Sequence, residues 1–171
     1  VPMKLDLKRI SLEPGTSLNF DYELDLTQLE WNGAKPAAHP VRVEGRVWNM
    51  AGALVLNVTM STVLSLVCDR CARPFEREKT VEYETLLAAE LEDEENDDIV
   101  LLDRDLGLDL DALLTDVFLL ALDTKNLCSE DCKGLCAGCG ADLNREPCRC
   151  RREIDPRLAK LAALLEQDDD E

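Results

Sequence analysis

The sequence predicts an α+β protein. We expect an antiparallel β-sheet of hairpins, sandwich-like or barrel-like, followed by a buried helix, a cysteine-rich zinc-binding segment and a C-terminal helix. Two observations predict this fold class. Apolar and polar residues alternate through much of residues 1–89, as in strands with one buried face. The eight cysteines fall into one short pair and one dense cluster, which is typical of two four-cysteine metal sites.

Residues 1–89 are predicted to form the β region. Weak alternation in residues 1–31, broken at Pro14-Gly15, indicates two short strands joined by a turn. The alternation becomes stronger at Val41 and continues through a turn near Gly52. This second part therefore predicts an antiparallel hairpin.

The β region is predicted to end in a hairpin that carries the first cysteine pair. A third strand, Val63–Val67, leads to Cys68 and Cys71, and a further strand, Lys79–Leu87, follows them. A hairpin tip is a common place for a zinc knuckle. The alternative is a redox-active pair, which would be expected at the start of a helix after a parallel strand.

Residues 90–98 are predicted to form an acidic loop, and residues 99–127 a helical region. The loop has seven acidic residues in nine, so we expect it to be solvated, with attraction of a basic partner as the alternative. Ile99–Leu102 is a candidate short strand. Asp109 or Asp111 is then expected to cap a buried helix that runs to about Leu122.

Residues 128–167 are predicted to hold the zinc-binding segment and the C-terminal helix. Asp155-Pro156 is a helix start, with an acidic N-cap and proline at the first helical position. One apolar stripe follows, suited to packing on the body of the protein or on a partner. The acidic tail, residues 168–171, is expected to be disordered.

The cysteine spacing favours one assignment of ligands over another. The CAGC pair is followed by a glycine and lies only a short gap before the last two cysteines, so these four cysteines are expected to bind one metal ion. The remaining four cysteines would then form the other site. Site 1 then consists of Cys68, Cys71, Cys128 and Cys132, and site 2 of Cys136, Cys139, Cys148 and Cys150. The swapped alternative joins both CxxC pairs at one zinc and leaves Cys128, Cys132, Cys148 and Cys150 for the other. Disulfides and iron–sulfur clusters are further alternatives for these thiols.

The charge of the chain limits its partners. A formal net charge of −17 repels phosphate, so RNA contact would need a local basic patch. Basic residues border both cysteine groups. They could bind phosphate or an acidic protein surface, or they could simply compensate the charge of the thiolates. The candidate contact residues are Arg70, Arg73, Arg145, Arg149, Arg151, Arg152 and Arg157.

The sequence predicts a protein that is not an enzyme. It has no phosphate-binding glycine loop, nucleophile elbow or dinucleotide motif, and four-thiolate zinc leaves no open position for water. The only histidine, His39, is expected in a loop and not at a metal. Without a membrane-spanning run or a signal-like start, we expect a cytoplasmic protein with no membrane partner and no small-molecule substrate.

Four segments, in this order, resemble a known family. They are CDRCARPF after a strand, a helix ending in LLALD, then CKGLCAGCGADLN and DPRLAKLAALL. This set is similar to the YceD (DUF177) family of large ribosomal RNA subunit accumulation proteins, from about Val41 to Leu165. Ala137 and Asp123 stand where the family often has proline, and neither position supplies a ligand.

The resemblance implies a role in the synthesis, processing or accumulation of large-subunit (23S) ribosomal RNA. With the zinc sites, it leads us to expect an accessory factor that contacts ribosomal RNA or a pre-ribosomal large subunit through arginines beside the metal. The alternative is an acidic, chaperone-like binder of a basic ribosomal protein.

Overall fold

The computed structural model describes residues 3–90 and 99–150. Four predictions therefore fall wholly or mostly outside the described residues: the acidic loop at 90–98, the helix starting at Asp155, the tail at 168–171, and the contacts of Arg151, Arg152 and Arg157. The chain divides into two compact units. The described residues of Val1–Cys68 and Arg73–Cys128 form the first, and those of Asp69–Ala72 and Ser129–Glu171 form the second.

The regular secondary structure of the described residues lies in the first unit. Its elements in chain order are β1 (Lys4–Asp6), α1 (Lys8–Leu12), β2 (Ser17–Leu24), β3 (Val41–Met50), β4 (Ala53–Val67), β5 (Pro74–Ala88), β6 (Ile99–Leu101), β7 (Gly107–Asp109) and α2 (Leu110–Leu120). Neither described helix is long and apolar enough to cross a membrane.

The main sheet has five strands in the order β2-β3-β4-β5-β6. Its first four strands form antiparallel pairs, as the alternation of the sequence predicts. The last pair corrects the prediction of a purely antiparallel sheet, because β6 runs parallel to β5. Alternation shows which face of a strand is buried but not the direction of its neighbour. A separate two-stranded sheet pairs β1 with β7.

Two predicted boundaries are wrong. The first predicted strand is only the short β1, which is followed by the helix α1. Val63–Val67 is not a separate strand, because β4 continues without a break and pairs with β5 along its length. In residues 99–127 the expected short strand is present as β6, and one more short strand, β7, precedes α2.

The core lies between one face of the main sheet and α2. Val41, Val43 and Val47 lie on one face of β3 and are 0% exposed, so this face of the strand is mostly buried. Leu114 and Phe118 from α2 belong to the same cluster. The predicted buried helix is therefore present.

Two aspartates at the start of α2 have different roles. Asp109 is the N-cap, and its side chain accepts a hydrogen bond from the backbone N–H of Ala112 at 3.1 Å. Asp111 instead accepts from the backbone N–H of Met3 at 2.9 Å and the hydroxyl of Tyr22 at 2.8 Å. The pKa of Tyr22 is raised, first by burial and then by this hydrogen bond. Asp111 thus ties α2 to the start of the chain and to β2.

Asn49, which is 2% exposed, gives the first prediction. Its Nδ2 donates to the carbonyl oxygens of Ile10 and Ser11, at 2.8 and 3.1 Å, and its Oδ1 accepts from the backbone N–H of Gly52 at 2.8 Å. Asn49→Ala would leave these backbone groups without their partner. We expect a loss of about 2–3 kcal/mol of unfolding free energy, measured by urea denaturation.

The matched control is Asn57→Ala, since Asn57 is exposed and its side chain bonds Glu84 at the surface. We expect it to cost less than about 0.5 kcal/mol. Equal losses in the two variants would contradict a special role for Asn49.

Candidate metal centres

The eight cysteines lie in two groups of four, and within each group the sulfur atoms are all within 4.8 Å of one another. The first group consists of Cys68, Cys71, Cys128 and Cys132, and the second of Cys136, Cys139, Cys148 and Cys150. This is the grouping that the sequence favoured over the swapped one. The first group is mostly buried and the second mostly exposed. His39 lies in an exposed loop and belongs to neither group.

A tight turn at the end of the β4–β5 hairpin carries the first cysteine pair. The strands remain paired as far as Val67 and Pro74, and the backbone N–H of Cys68 donates to the carbonyl of Arg73 at 2.9 Å. Ala72 has a φ of 56°, a left-handed conformation that reverses the chain. The first cysteine pair therefore lies at a hairpin tip, as predicted.

Arg70 holds the backbone around Cys132. Its guanidinium donates to the carbonyl oxygens of Cys132 and Glu130, at 2.9 and 3.3 Å, and its own carbonyl accepts from the N–H of Leu135 at 2.9 Å. These bonds fix the loop that presents the Cys132 sulfur. Arg70 thus has a positioning role, and contact with RNA stays a prediction for it.

Asn144 contacts the Cys132 sulfur directly, which the sequence analysis did not anticipate. Its Nδ2 lies 3.4 Å from that sulfur, and its Oδ1 accepts from the backbone N–H of Lys133 at 2.8 Å. A side-chain amide that donates to a thiolate partly neutralises it and orients it. The turn-forming DLN that precedes the last two cysteines was the available signal.

Arg73, the other predicted RNA contact near the first group, lies beside Cys128. Its guanidinium is 3.9 Å from the Cys128 sulfur. Arg77 donates to the carbonyl of Leu127 at 2.7 Å. The contact of Arg73 suits the alternative in which arginine compensates thiolate charge, whereas Arg77 holds the backbone just before Cys128.

The sulfur separations in the second group fit a tetrahedral metal. They are 3.2 Å for Cys136 and Cys148, 3.7 Å for Cys136 and Cys150, and 4.0 Å for Cys139 and Cys148. A zinc ion with bonds of about 2.3 Å to four sulfurs separates them by roughly 3.8 Å. A disulfide would need about 2.05 Å. The four thiols of this group are therefore close enough to hold one tetrahedral metal ion.

Backbone amides make two of these thiols more acidic. The pKa of Cys136 is lowered to about 6, first because the N–H of Cys139 donates to its sulfur and then because of the Cys148 thiol. The pKa of Cys139 is lowered as well, because the N–H groups of Ala141 and Arg149 donate to it. Amides that converge on sulfur stabilise the thiolate, which is the form that binds metal.

The other two thiols of the group behave in the opposite way. The pKa of Cys148 is raised first by its hydrogen bond to Cys136, and that of Cys150 is raised to about 12, first by its hydrogen bond to Cys139. Four thiolates so close together repel one another. The full set can be charged only when a cation offsets the repulsion, as a bound zinc ion would.

The second group is built on a turn. The N–H of Cys136 donates to the carbonyl of Ala141 at 2.8 Å, and the N–H of Gly140 donates back to Cys136 at 2.9 Å. Gly140 has a φ of 72°, a conformation that glycine adopts without strain. The glycine after CAGC therefore has the role that the sequence predicts.

Two of the predicted contact arginines project from the second group. Arg145 is 69% exposed and lies 3.6 Å from Asp142. Arg149 is 80% exposed and lies 2.8 Å from Glu146. Both are therefore accessible to a partner, each with a surface carboxylate nearby.

A glycine beside Cys132 gives the second prediction. Gly134 has a φ of 76°, and a Cβ there would lie 2.9 Å from the carbonyl oxygen of Arg70. Gly134→Ala would strain the backbone and push away the loop that Arg70 holds. We expect zinc affinity at the first group to fall about tenfold or more, measured by competition with a chromogenic chelator.

Gly15→Ala is the matched control. Gly15 also has a positive φ, 83°, but nothing lies within 4 Å of the Cβ position. Gly15→Ala therefore introduces backbone strain without the clash at Arg70. We expect it to leave zinc affinity unchanged. Unchanged zinc affinity in Gly134→Ala would contradict the role given to this close approach.

One family model matches most of the chain. A family model described as "Large ribosomal RNA subunit accumulation protein YceD" matches residues 56–165, which include all eight cysteines. The uncharacterized YlbN protein of Bacillus subtilis is 29% identical, with 98% of this chain and 99% of YlbN covered. An uncharacterized protein of Mycobacterium tuberculosis is 28% identical, over 99% of this chain and 84% of its own.

One plant relative has a descriptive name. The chloroplastic "Large ribosomal RNA subunit accumulation protein YCED homolog 1" of Zea mays is 29% identical, over 80% of this chain and 57% of its own. No solved structure gives a significant match.

Proposed function

This chain belongs to the YceD family, and from that premise we propose that it is a zinc-binding, non-enzymatic accessory factor for the synthesis, processing or accumulation of large-subunit (23S) ribosomal RNA in the cytoplasm. The observation that carries the proposal is the pair of four-cysteine groups within the region that the family model matches. The name of the maize relative supports the link to ribosomal RNA accumulation.

The donor set supports zinc in a structural role. All eight ligand candidates are thiols, and neither group contains histidine or carboxylate. Four thiolates fill the coordination sphere of zinc, so no position is left at which it could activate water. Zinc would hold the cysteine segments in one conformation and leave recognition to the side chains around them.

We place the RNA contact at Arg145 and Arg149. Their ion pairs lie at the surface, and such pairs contribute only about 0–1 kcal/mol. Phosphate can therefore displace the carboxylates at low cost and accept two hydrogen bonds from each guanidinium. The rest of the chain is acidic and would repel phosphate, which would limit nonspecific binding of RNA.

The experiment is a pull-down of the purified protein from lysate, with and without nuclease. We expect large-subunit components to be retained only without nuclease, and to be lost in the double variant Arg145→Gln, Arg149→Gln. The matched control is Arg9→Gln, Arg104→Gln, since both of these arginines are exposed on the first unit. Retention of one basic ribosomal protein after nuclease, together with undiminished retention of large-subunit components in the Arg145→Gln, Arg149→Gln variant, would overturn RNA contact and favour the acidic chaperone-like binder.

A further inference from the structure

The outer face of the five-stranded sheet, which points away from the core, has an unusual distribution of side chains. We define it as the odd-numbered residues of β2, β4 and β6 and the even-numbered residues of β3 and β5. Strand register places these residues on one side of the sheet. One part of the face is acidic and the end beside it is apolar.

The acidic part is a row of glutamates along β5. Glu76, Glu78, Glu82 and Glu84 are all exposed. The residues of β4 that pair with these glutamates are uncharged. The described part of the chain contains no ion pair to any of the four, and Glu84 accepts one hydrogen bond, from Asn57 at 3.1 Å. The negative charge of this row is therefore not compensated within the described chain.

The apolar part is a row that crosses four strands in register. Trp48 on β3 lies opposite Val55 on β4, Val55 lies opposite Leu86 on β5, and Leu86 lies opposite Ile99 on β6. Leu86 is 43% exposed. Val55 is buried, yet it is not part of the hydrophobic core cluster. The row thus forms a small apolar surface of its own.

Two more apolar side chains extend this surface. Met50 follows Trp48 on the same face of β3 and is 59% exposed, and Leu101 follows Ile99 on β6 and is 51% exposed. The two arginines of the outer face are already engaged. Arg42 pairs with Asp21 and Glu44, and Arg46 lies over the Trp48 ring. Neither is paired with the glutamates of β5.

We propose that this outer face is a docking surface for a lysine- or arginine-rich segment of another protein that carries apolar residues at one end. The glutamate row complements the basic residues, and the row from Trp48 to Ile99 receives the apolar ones. RNA is disfavoured because the glutamates repel phosphate. A second copy is disfavoured because it brings the same charge of −17. The inference depends on neither the metal nor the RNA contact proposed above.

The test uses a synthetic probe of defined chemistry. A fluorescein-labelled peptide of lysine and serine that ends in three leucines is titrated with the full-length protein, and binding is followed by fluorescence anisotropy. A second peptide has serine in place of the leucines. We expect the first peptide to bind more tightly, and its affinity to fall as salt is added.

Variants matched in charge show whether the site is local. We expect E78Q/E82Q/E84Q to weaken binding about tenfold at near-physiological salt. E13Q/E30Q/D116N removes the same charge from exposed positions outside the glutamate row and should weaken it less than about twofold. Equal weakening by the two triple variants would show attraction by net charge alone and would overturn the proposal.

The apolar row has its own matched pair. Leu86→Ser should weaken binding of the leucine peptide and leave the serine peptide unaffected. Leu12→Ser, at a side chain that is 81% exposed outside the sheet, should change neither. An unaltered leucine-peptide affinity in Leu86→Ser would also overturn the proposal. Unchanged urea midpoints confirm that each variant is folded.

Discussion

Removal of metal with a strong chelator is expected to unfold the residues around the second cysteine group and to leave the main sheet folded. Among the described residues of the second unit, only Cys71, Cys132 and Gly134 are buried. Leu135 and Asp142 form an isolated β-bridge there, and residues 69–72 and 129–150 contain no helix or strand. These residues cannot bury enough apolar surface to offset the entropy of ordering them.

The expected effect is large because the proposed zinc would supply the missing free energy. A structural zinc contributes about 10–16 kcal/mol of apparent binding free energy in small peptides. Without the cation, thiolate repulsion adds to the cost of bringing four cysteines together. Loss of metal should therefore act as a local unfolding transition.

Hydrogen exchange gives the measurement. We expect the amides of Cys136, Gly140 and Leu143, which donate within the cysteine segment, to lose protection after chelation. The amides of β3 and β4 should remain protected, because their strands pair within the sheet. Readdition of zinc should restore the protection.

A cysteine variant supplies the control for the chelator. Cys139→Ser should lower the zinc content in native mass spectrometry from two ions to one, whereas Ser129→Ala, next to the first group, should keep two. Full protection of the cysteine segment without metal would contradict a structural metal. An iron-containing protein as purified would contradict zinc.

Phe118→Ala is expected to destabilise the first unit by about 3–5 kcal/mol. Phe118 is 1% exposed and is among the largest fully buried side chains. The chain has only 4% aromatic residues, so few other aromatic side chains contribute to the core. Truncation would leave a cavity between α2 and the sheet, which the packed side chains cannot close. Urea denaturation followed by circular dichroism measures the loss.

Leu120→Ala is the matched control, because Leu120 lies two residues further along α2 and is 87% exposed. It should change the free energy of unfolding by less than about 0.5 kcal/mol. A comparable loss in the control would mean that helix propensity, and not core packing, dominates at this end of α2.

Local features were predicted well from the sequence. The β3–β4 hairpin follows from alternation, and the N-cap at Asp109 follows from an acidic residue before an apolar stripe. The grouping of the cysteines follows from their spacing and from Gly140. The hairpin, the N-cap and the second cysteine group are decided by neighbours in the chain, so their signal is present in the sequence. The first cysteine group joins distant residues, and its members were found because they are the four cysteines that the second group leaves.

Other features could not be predicted in this way. The parallel direction of β6, the continuation of β4 through Val63–Val67 and the contact of Asn144 with Cys132 all depend on residues far apart in the chain. Each is decided by which arrangement of the whole chain has the lowest free energy, and no local sequence pattern encodes that.

The cysteine segment illustrates both cases. The sequence alone indicated which cysteines belong together, because the short gap from Cys136 and Cys139 to the last two cysteines favours a local group and leaves the other four for the second. Only the tertiary structure decided what the arginines do. Arg70 hydrogen-bonds to backbone carbonyls and Arg73 lies beside a sulfur, whereas Arg145 and Arg149 remain at the surface. The reason is that a guanidinium can donate to a carbonyl, a thiolate or a phosphate, and only the folded chain determines which acceptor is within reach.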